Sequence, residues 1–213
     1  MRNILSNDSK IVDLMYKLGD LVLLNICYLL CCIPIITVGA ASAARYAVCF
    51  RLGSKREQHN IKDFFQAFRD NLRQGILLWL IVLAANGLGI FAFLLVFQLS
   101  GGLRYAYIPF LILLVILAVV SSYIFPLQSQ FDNRIFTTIK NAAILSIGYL
   151  PRSLCIATLN LLPLLVFLLR PDLFLWAIWL WAGLYFSASA YLNSLLMRKV
   201  FSPYLPVSEA SQD

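Results

Sequence analysis

The sequence predicts an all-α protein, a polytopic transmembrane helical bundle with about five apolar segments and interfacial amphipathic helices. Two observations carry that expectation. The 213 residues are 61% hydrophobic and only 13% charged, too few polar groups to cover a water-facing surface. The charges are also clustered, leaving charge-free runs at 21–44, 74–103, 105–131, 153–169 and 173–197. Each is long enough to cross roughly 30 Å of hydrocarbon as a helix, the fourth only just. No stretch between them is long enough for a separate soluble domain, so residues 1–213 read as one membrane domain.

Residues 1–20 read as an amphipathic segment, with Ile11, Leu14, Met15 and Leu18 at helical spacing. The first span, 21–44, contains Pro34, Thr37 and Gly39 near its middle, and is expected to be Pro-kinked or re-entrant. Ala41-Ser42-Ala43 resembles a signal-peptidase site. The acidic residues before the run and its length favour retention in the mature chain. A second amphipathic helix is expected over 60–73, with Asn60 as its N-cap. There Ile61, Phe64, Phe65, Phe68 and Leu72 form one face, while Lys62, Asp63, Gln66, Arg69, Asp70 and Arg73 fill the other. Such a helix places its rings at the acyl boundary and its charges among headgroups. The alternative is a loop helix packed on its own protein.

The remaining spans are expected at 74–100, 105–130, 153–169 and 173–197, with a cytoplasmic tail at 198–213. Segment 132–150 is an interfacial helix or the start of the fourth span. Counting Lys and Arg by side places 12 with the C-terminus and 5 opposite, which makes the C-terminus cytoplasmic by the positive-inside rule. The net charge of +7 is thereby explained by topology, and nucleic acid is not an expected partner. Trp79, Trp176, Trp179 and Trp181 lie at or near run ends, as interfacial anchors do.

No Asp or Glu falls inside an apolar run, which speaks against a proton-coupled pump. The single histidine, His59, has no metal-spaced partner, and no hydrolase, zinc-protease or phosphate-loop motif occurs. The expected protein is not an enzyme and carries no metal or cofactor. The five cysteines, Cys27, Cys31, Cys32, Cys49 and Cys155, read as small core or lipid-facing residues.

Arg152 is the charge of most interest, because it follows Pro151 between two apolar stretches. Either it marks the cytoplasmic end of the fourth span, or it is buried and needs an anionic substrate or lipid headgroup. Asn25, Thr37, Asn86, Gln128 and Asn160, with Ser121, Ser122, Gln130 and Asn193, are candidates to line a solute path or to contact lipid. The structural alternative is hydrogen bonding between helices, about 1 kcal/mol each.

Three stretches, NICYLLCCIPIITVGAASAARY from residue 25, DFFQAFRDNLRQ from residue 63 and YIFPLQSQF from residue 123, resemble the YesL family of bacterial membrane proteins. The resemblance implies a small multi-pass protein of the bacterial cell membrane, of unknown activity, often encoded among carbohydrate-uptake and two-component sensing genes. The family has no established catalytic or binding residues, so none is carried over. The expected role is a non-enzymatic accessory of carbohydrate uptake. Its partners would be the bilayer and a carbohydrate ABC permease or another membrane protein, docked on Phe64, Phe65, Phe68, Arg69 and Arg73. The alternative is a small-solute facilitator or channel.

Overall fold

The computed structural model describes residues 2–52, 60–98, 105 and 107–201. His59 and the tail beyond residue 201 lie outside the described residues, as do the side chains of Ile11, Leu14 and Asn60. Among the described residues the protein is 94% helical without strands, and five helices are long and apolar enough to cross a membrane. In chain order the helices are α1 (Arg2–Cys32), α2 (Val38–Leu52), α3 (Asn60–Asp70), α4 (Leu72–Phe97), α5 (Tyr107–Gln130), α6 (Ile135–Gly148), α7 (Leu150–Leu169), α8 (Pro171–Trp176), α9 (Ile178–Leu180) and α10 (Phe186–Phe201).

The amphipathic segment 1–20 and the first half of the expected span 21–44 form one uninterrupted helix, α1. The second half of that run belongs to a different helix. Pro34 cannot donate to the helical ladder and disfavours the helical conformation at Ile33, and Pro34 itself is extended at φ −74°, ψ 111°. A single 3-10 turn (Ile35–Thr37) follows before α2 starts. The break is closed by Thr37, whose Oγ1 donates to the carbonyls of Cys31 (2.6 Å) and Pro34 (2.7 Å). The run is therefore broken outright, not merely kinked.

α2 is the centre of the bundle. Thirteen of its 15 residues are buried, and it packs against α1, α3, α4, α5 and α10. Its first turns, Gly39-Ala40-Ala41-Ser42-Ala43-Ala44, carry side chains small enough for backbones to meet. At the closest crossing a Cβ added to Gly75 of α4 would lie 2.7 Å from the Ala40 Cα, and one added to Gly39 would lie 2.7 Å from the Trp79 Cβ. Both positions require glycine for this approach.

Both ends of α2 touch residues at one end of the bundle. There α4 begins while α5 and α10 finish: the Gln74 Nε2 donates to the Asn133 carbonyl at 2.7 Å, and the Phe131 and Phe201 rings meet at 5.6 Å. The start of α2 lies on Gly75 and its finish on α10, where Phe50 packs on Phe201 at 5.8 Å and its carbonyl accepts from Arg198. This end carries Arg51, Arg69, Arg73, Arg134, Arg198 and Lys199, and is the basic end.

α3 packs beneath α2 with its phenylalanines turned inward. Phe64 is fully buried and Ala67 nearly so, Phe68 is half-buried, and only Ile61 and Phe65 remain exposed. The sequence reading that placed the whole Phe face in lipid is corrected here, because α2 supplies an apolar partner for Phe64 within the chain. An Arg51–Asp63 ion pair at 3.6 Å ties the two helices.

The last run, 173–197, is not one regular helix either. It is divided among α8, α9, a π turn (Trp181–Tyr185) and α10. Such a turn leaves carbonyls without their usual donors. Asn25 of α1 meets them: its Nδ2 donates to the carbonyls of Trp181 (3.3 Å) and Ala182 (2.6 Å), while its Oδ1 accepts the Ser187 N–H at 3.0 Å. Trp181 is buried, stacked on Phe174 and edge-on to Tyr185. Trp79 likewise faces inward against Phe125, so neither is the interfacial anchor expected. Trp176 and Trp179 are almost fully exposed.

Candidate functional site

Inward of α2 the bundle does not close. A cavity of about 360 Å³ is bounded by α1, α2, α4, α5, α7, the π turn and α10, a volume at the lower end of small-molecule sites. Each helix contributes polar groups to an otherwise apolar wall: Ser42 and Arg45 from α2, Asn86 from α4, Ser121 and Ser122 from α5, Asn160 from α7 and Ser189 from α10. Tyr28, Tyr46, Trp79 and Tyr185 add aromatic surface with polar tips.

Arg45 is the charge at this site. It is 6% exposed, and its Nε and Nη1 have no hydrogen-bond partner. Its guanidinium lies over the Tyr28 ring, 4.0 Å from the centroid, with the Tyr46 ring at 5.5 Å. A desolvated cation–π contact stabilises by about 2 kcal/mol, whereas withdrawing a guanidinium from water without an ionic partner costs several. The rings cover the faces of the group and leave its N–H edges unanswered. Trp79 presents a third donor without a partner, its indole Nε1–H. Among the described residues no Asp, Glu, His or Cys lines the cavity.

The neighbouring amides and hydroxyls are organised among themselves. The Asn193 Nδ2 donates to the Asn160 Oδ1 at 2.9 Å and to the Tyr46 hydroxyl at 3.3 Å, which in turn donates to the Asn160 Oδ1 at 3.5 Å. The Asn86 Nδ2 bonds the Val82 carbonyl (2.8 Å) and the Ser121 hydroxyl (3.1 Å). The Tyr185 hydroxyl donates to the Leu159 carbonyl at 2.7 Å. These bonds fix the wall, while the buried donors of Arg45 and Trp79, two of its residues, have no acceptor.

Of the residues the sequence singles out, Asn86 and Asn160 reach the cavity, together with Ser121 and Ser122. Asn25 and Thr37 satisfy carbonyls at the two helix breaks. Gln128 is buried at the basic end, its Nε2 3.4 Å from the Asn71 carbonyl and its Oε1 unpartnered. Arg152 is in the first turn of α7, half-buried, with its guanidinium 5.7 Å from the Tyr149 ring centroid. It marks a helix start, while its neighbour Ser153 is fully buried and donates to the Tyr123 hydroxyl at 2.9 Å. Arg69 and Arg73 are exposed at the basic end. Sequence reasoning passed over Arg45 because it reads as the charge that terminates an apolar run. The signal lay in its setting, the aromatic Tyr46 after it and a run of small residues before it.

Five cysteines are free; Cys49 is buried and Cys155 exposed. Among the described residues no three His, Cys, Asp or Glu side chains cluster as a metal site. A separate groove of about 1050 Å³ outside α4 and α6 carries Arg73 and Arg134 over Leu77, Leu80 and Ile81. Arg73 is solvent-exposed and Asp132 lies in the same groove, so it lacks the desolvated charge of the central cavity.

Helices of membrane-crossing length with lipid-compatible exteriors, around a polar interior, define a multi-pass α-helical membrane protein. Residues 21–99, which contain α2 with Arg45, α3 and all of α4, match the family model described as "Protein of unknown function, DUF624". No curated protein and no solved structure matches the chain.

Proposed function

We propose that this membrane protein is a non-enzymatic, solute-binding accessory of carbohydrate uptake, with its ligand held in the central cavity. The observation that carries this reading is the cavity wall: amides and hydroxyls from separate helices interleaved with Tyr and Trp rings. Aromatic faces and fixed polar groups are the combination that recognises small hydroxylated solutes. The absence of an acid, base or thiol from that wall supports binding without chemistry. The basic end is cytoplasmic in this reading. There the exposed Ile61, Phe65 and Arg69, four residues apart on α3, offer a stripe for a permease partner.

The placement of α2 favours a binding site over a channel, because a conduit needs a continuous path and α2, buried among five helices, fills the centre of the bundle. Liposomes containing the purified protein are expected to show no solute flux. Deleting the gene is expected to alter growth on a particular oligosaccharide, and affinity capture to recover a permease. Unchanged growth across a broad sugar panel, or rapid flux without partners, overturns the reading.

A further inference from the structure

We infer that the central cavity is an oxyanion site, with the Arg45 guanidinium and the Trp79 indole N–H as its donors. This rests on the cavity being a ligand site, as proposed above, and adds the charge class of what enters. Two residues that line it, Arg45 and Trp79, hold three buried donor atoms, the Arg45 Nε and Nη1 and the Trp79 Nε1, that lack acceptors. None of the lining residues is acidic. Nothing within the wall neutralises the guanidinium, and the ring of Tyr28 at 4.0 Å meets its face and not its N–H edge. The missing complement is a group with several acceptor oxygens and a negative charge. A carboxylate or phosphate fits that description, presented either by a free solute or by an anionic lipid headgroup.

The test uses the full chain in phosphatidylcholine nanodiscs, with thermal unfolding followed by tryptophan fluorescence at constant ionic strength. Replacing chloride with inorganic phosphate or glucuronate is expected to raise the midpoint of the natural chain by a few degrees, since a ligand that binds only the folded state stabilises it. Arg45→Gln is expected to abolish that rise, and Trp79→Phe, which keeps the ring and removes one donor, to reduce it. In chloride alone, Arg45→Met is expected to melt at or above the natural midpoint, because it removes an uncompensated charge. Arg45→Met melting far below the natural chain in chloride overturns the inference, for the guanidinium would then be satisfied by the protein itself.

Adding phosphatidylglycerol to the discs distinguishes the sources. An Arg45-dependent rise with anionic lipid, and none from free anions, assigns the site to a headgroup. The reverse assigns it to a soluble oxyanion. No Arg45-dependent response to either overturns the inference. A chain that responds to oxyanions through Arg45, yet whose deletion leaves growth on every sugar unchanged, retains the oxyanion site and loses only the uptake role.

Discussion

Both α2 and α4 come from charge-poor stretches of membrane-crossing length, yet one is the inside of the protein and the other its exterior. α2 buries 13 of 15 residues, α4 only 4 of 26. The difference is one of side-chain type. α4 is rich in Leu, Ile and Phe, and presents Leu80, Leu88, Ile90 and Phe91 outward, where hydrocarbon accepts them at no cost. α2 opens with a run of Gly, Ala and Ser, residues which gain little from lipid but let other helices approach to backbone contact. An apolar run of small residues is an interior, and an apolar run of large ones is a surface.

The largest expected effect tests that contrast at two glycines of the same helix. Gly75→Leu forces a side chain into Ala40 and should destabilise the fold by about 3 kcal/mol or prevent folding. Gly87→Leu enters open space and should leave the unfolding midpoint near that of the natural chain. Equal losses at both would mean that α2 and α4 do not differ as described.

Next in size, Asn25→Ala removes three hydrogen bonds from the π turn and strands the Ser187 N–H. It should cost about 2–3 kcal/mol in detergent unfolding. A loss no larger than that of an exposed α1 substitution such as Tyr16→Ala would remove α1 from the interior set. A smaller effect is expected on the cavity side of α4. There the Asn86–Ser121 coupling, from a double-mutant cycle of alanine replacements, should be about 0.6–1 kcal/mol.

The smallest effect belongs outside the helical core. The Arg170 guanidinium donates to both Asp172 carboxylate oxygens, at 3.1 and 2.8 Å, and holds that carboxyl below its ordinary range. Whatever the pair contributes is present above the ordinary carboxylate pKa and lost as pH falls through the depressed one. Both side chains are open to water, which screens the pair. Asp172→Asn is therefore expected to leave the midpoint unchanged at pH 7, and a measurable drop would show the turn to be more enclosed than its exposure indicates.

The helical class and the long apolar segments were legible because charge-free runs have few alternatives to a membrane helix. What lay beyond the sequence was which faces meet. Averaging over a run treats Ala43 and Leu88 alike, and counting charges as borders turns Arg45 into a loop residue. The Phe64 face has the right helical period, but its partner, α2, begins inside the apolar run that also holds the end of α1, and nothing in the sequence pairs the two. Arg152 drew notice for its proline neighbour, whereas the buried charge stood between two alanines and a tyrosine with no local oddity. Asn25 and Thr37 carried a different signal. Each repairs a helix break, one adjoining its own helix and one 156 residues away, and only the nearer break was marked by a proline.

The bond from Asn25 to the π turn also bears on how the chain is assembled. α1 is synthesised well ahead of the π turn, 156 residues later in the chain, so its Asn25 amide stays unmet until that turn follows it into the bilayer. Membrane insertion can proceed segment by segment, but closure of this core is postponed until α10 has been made.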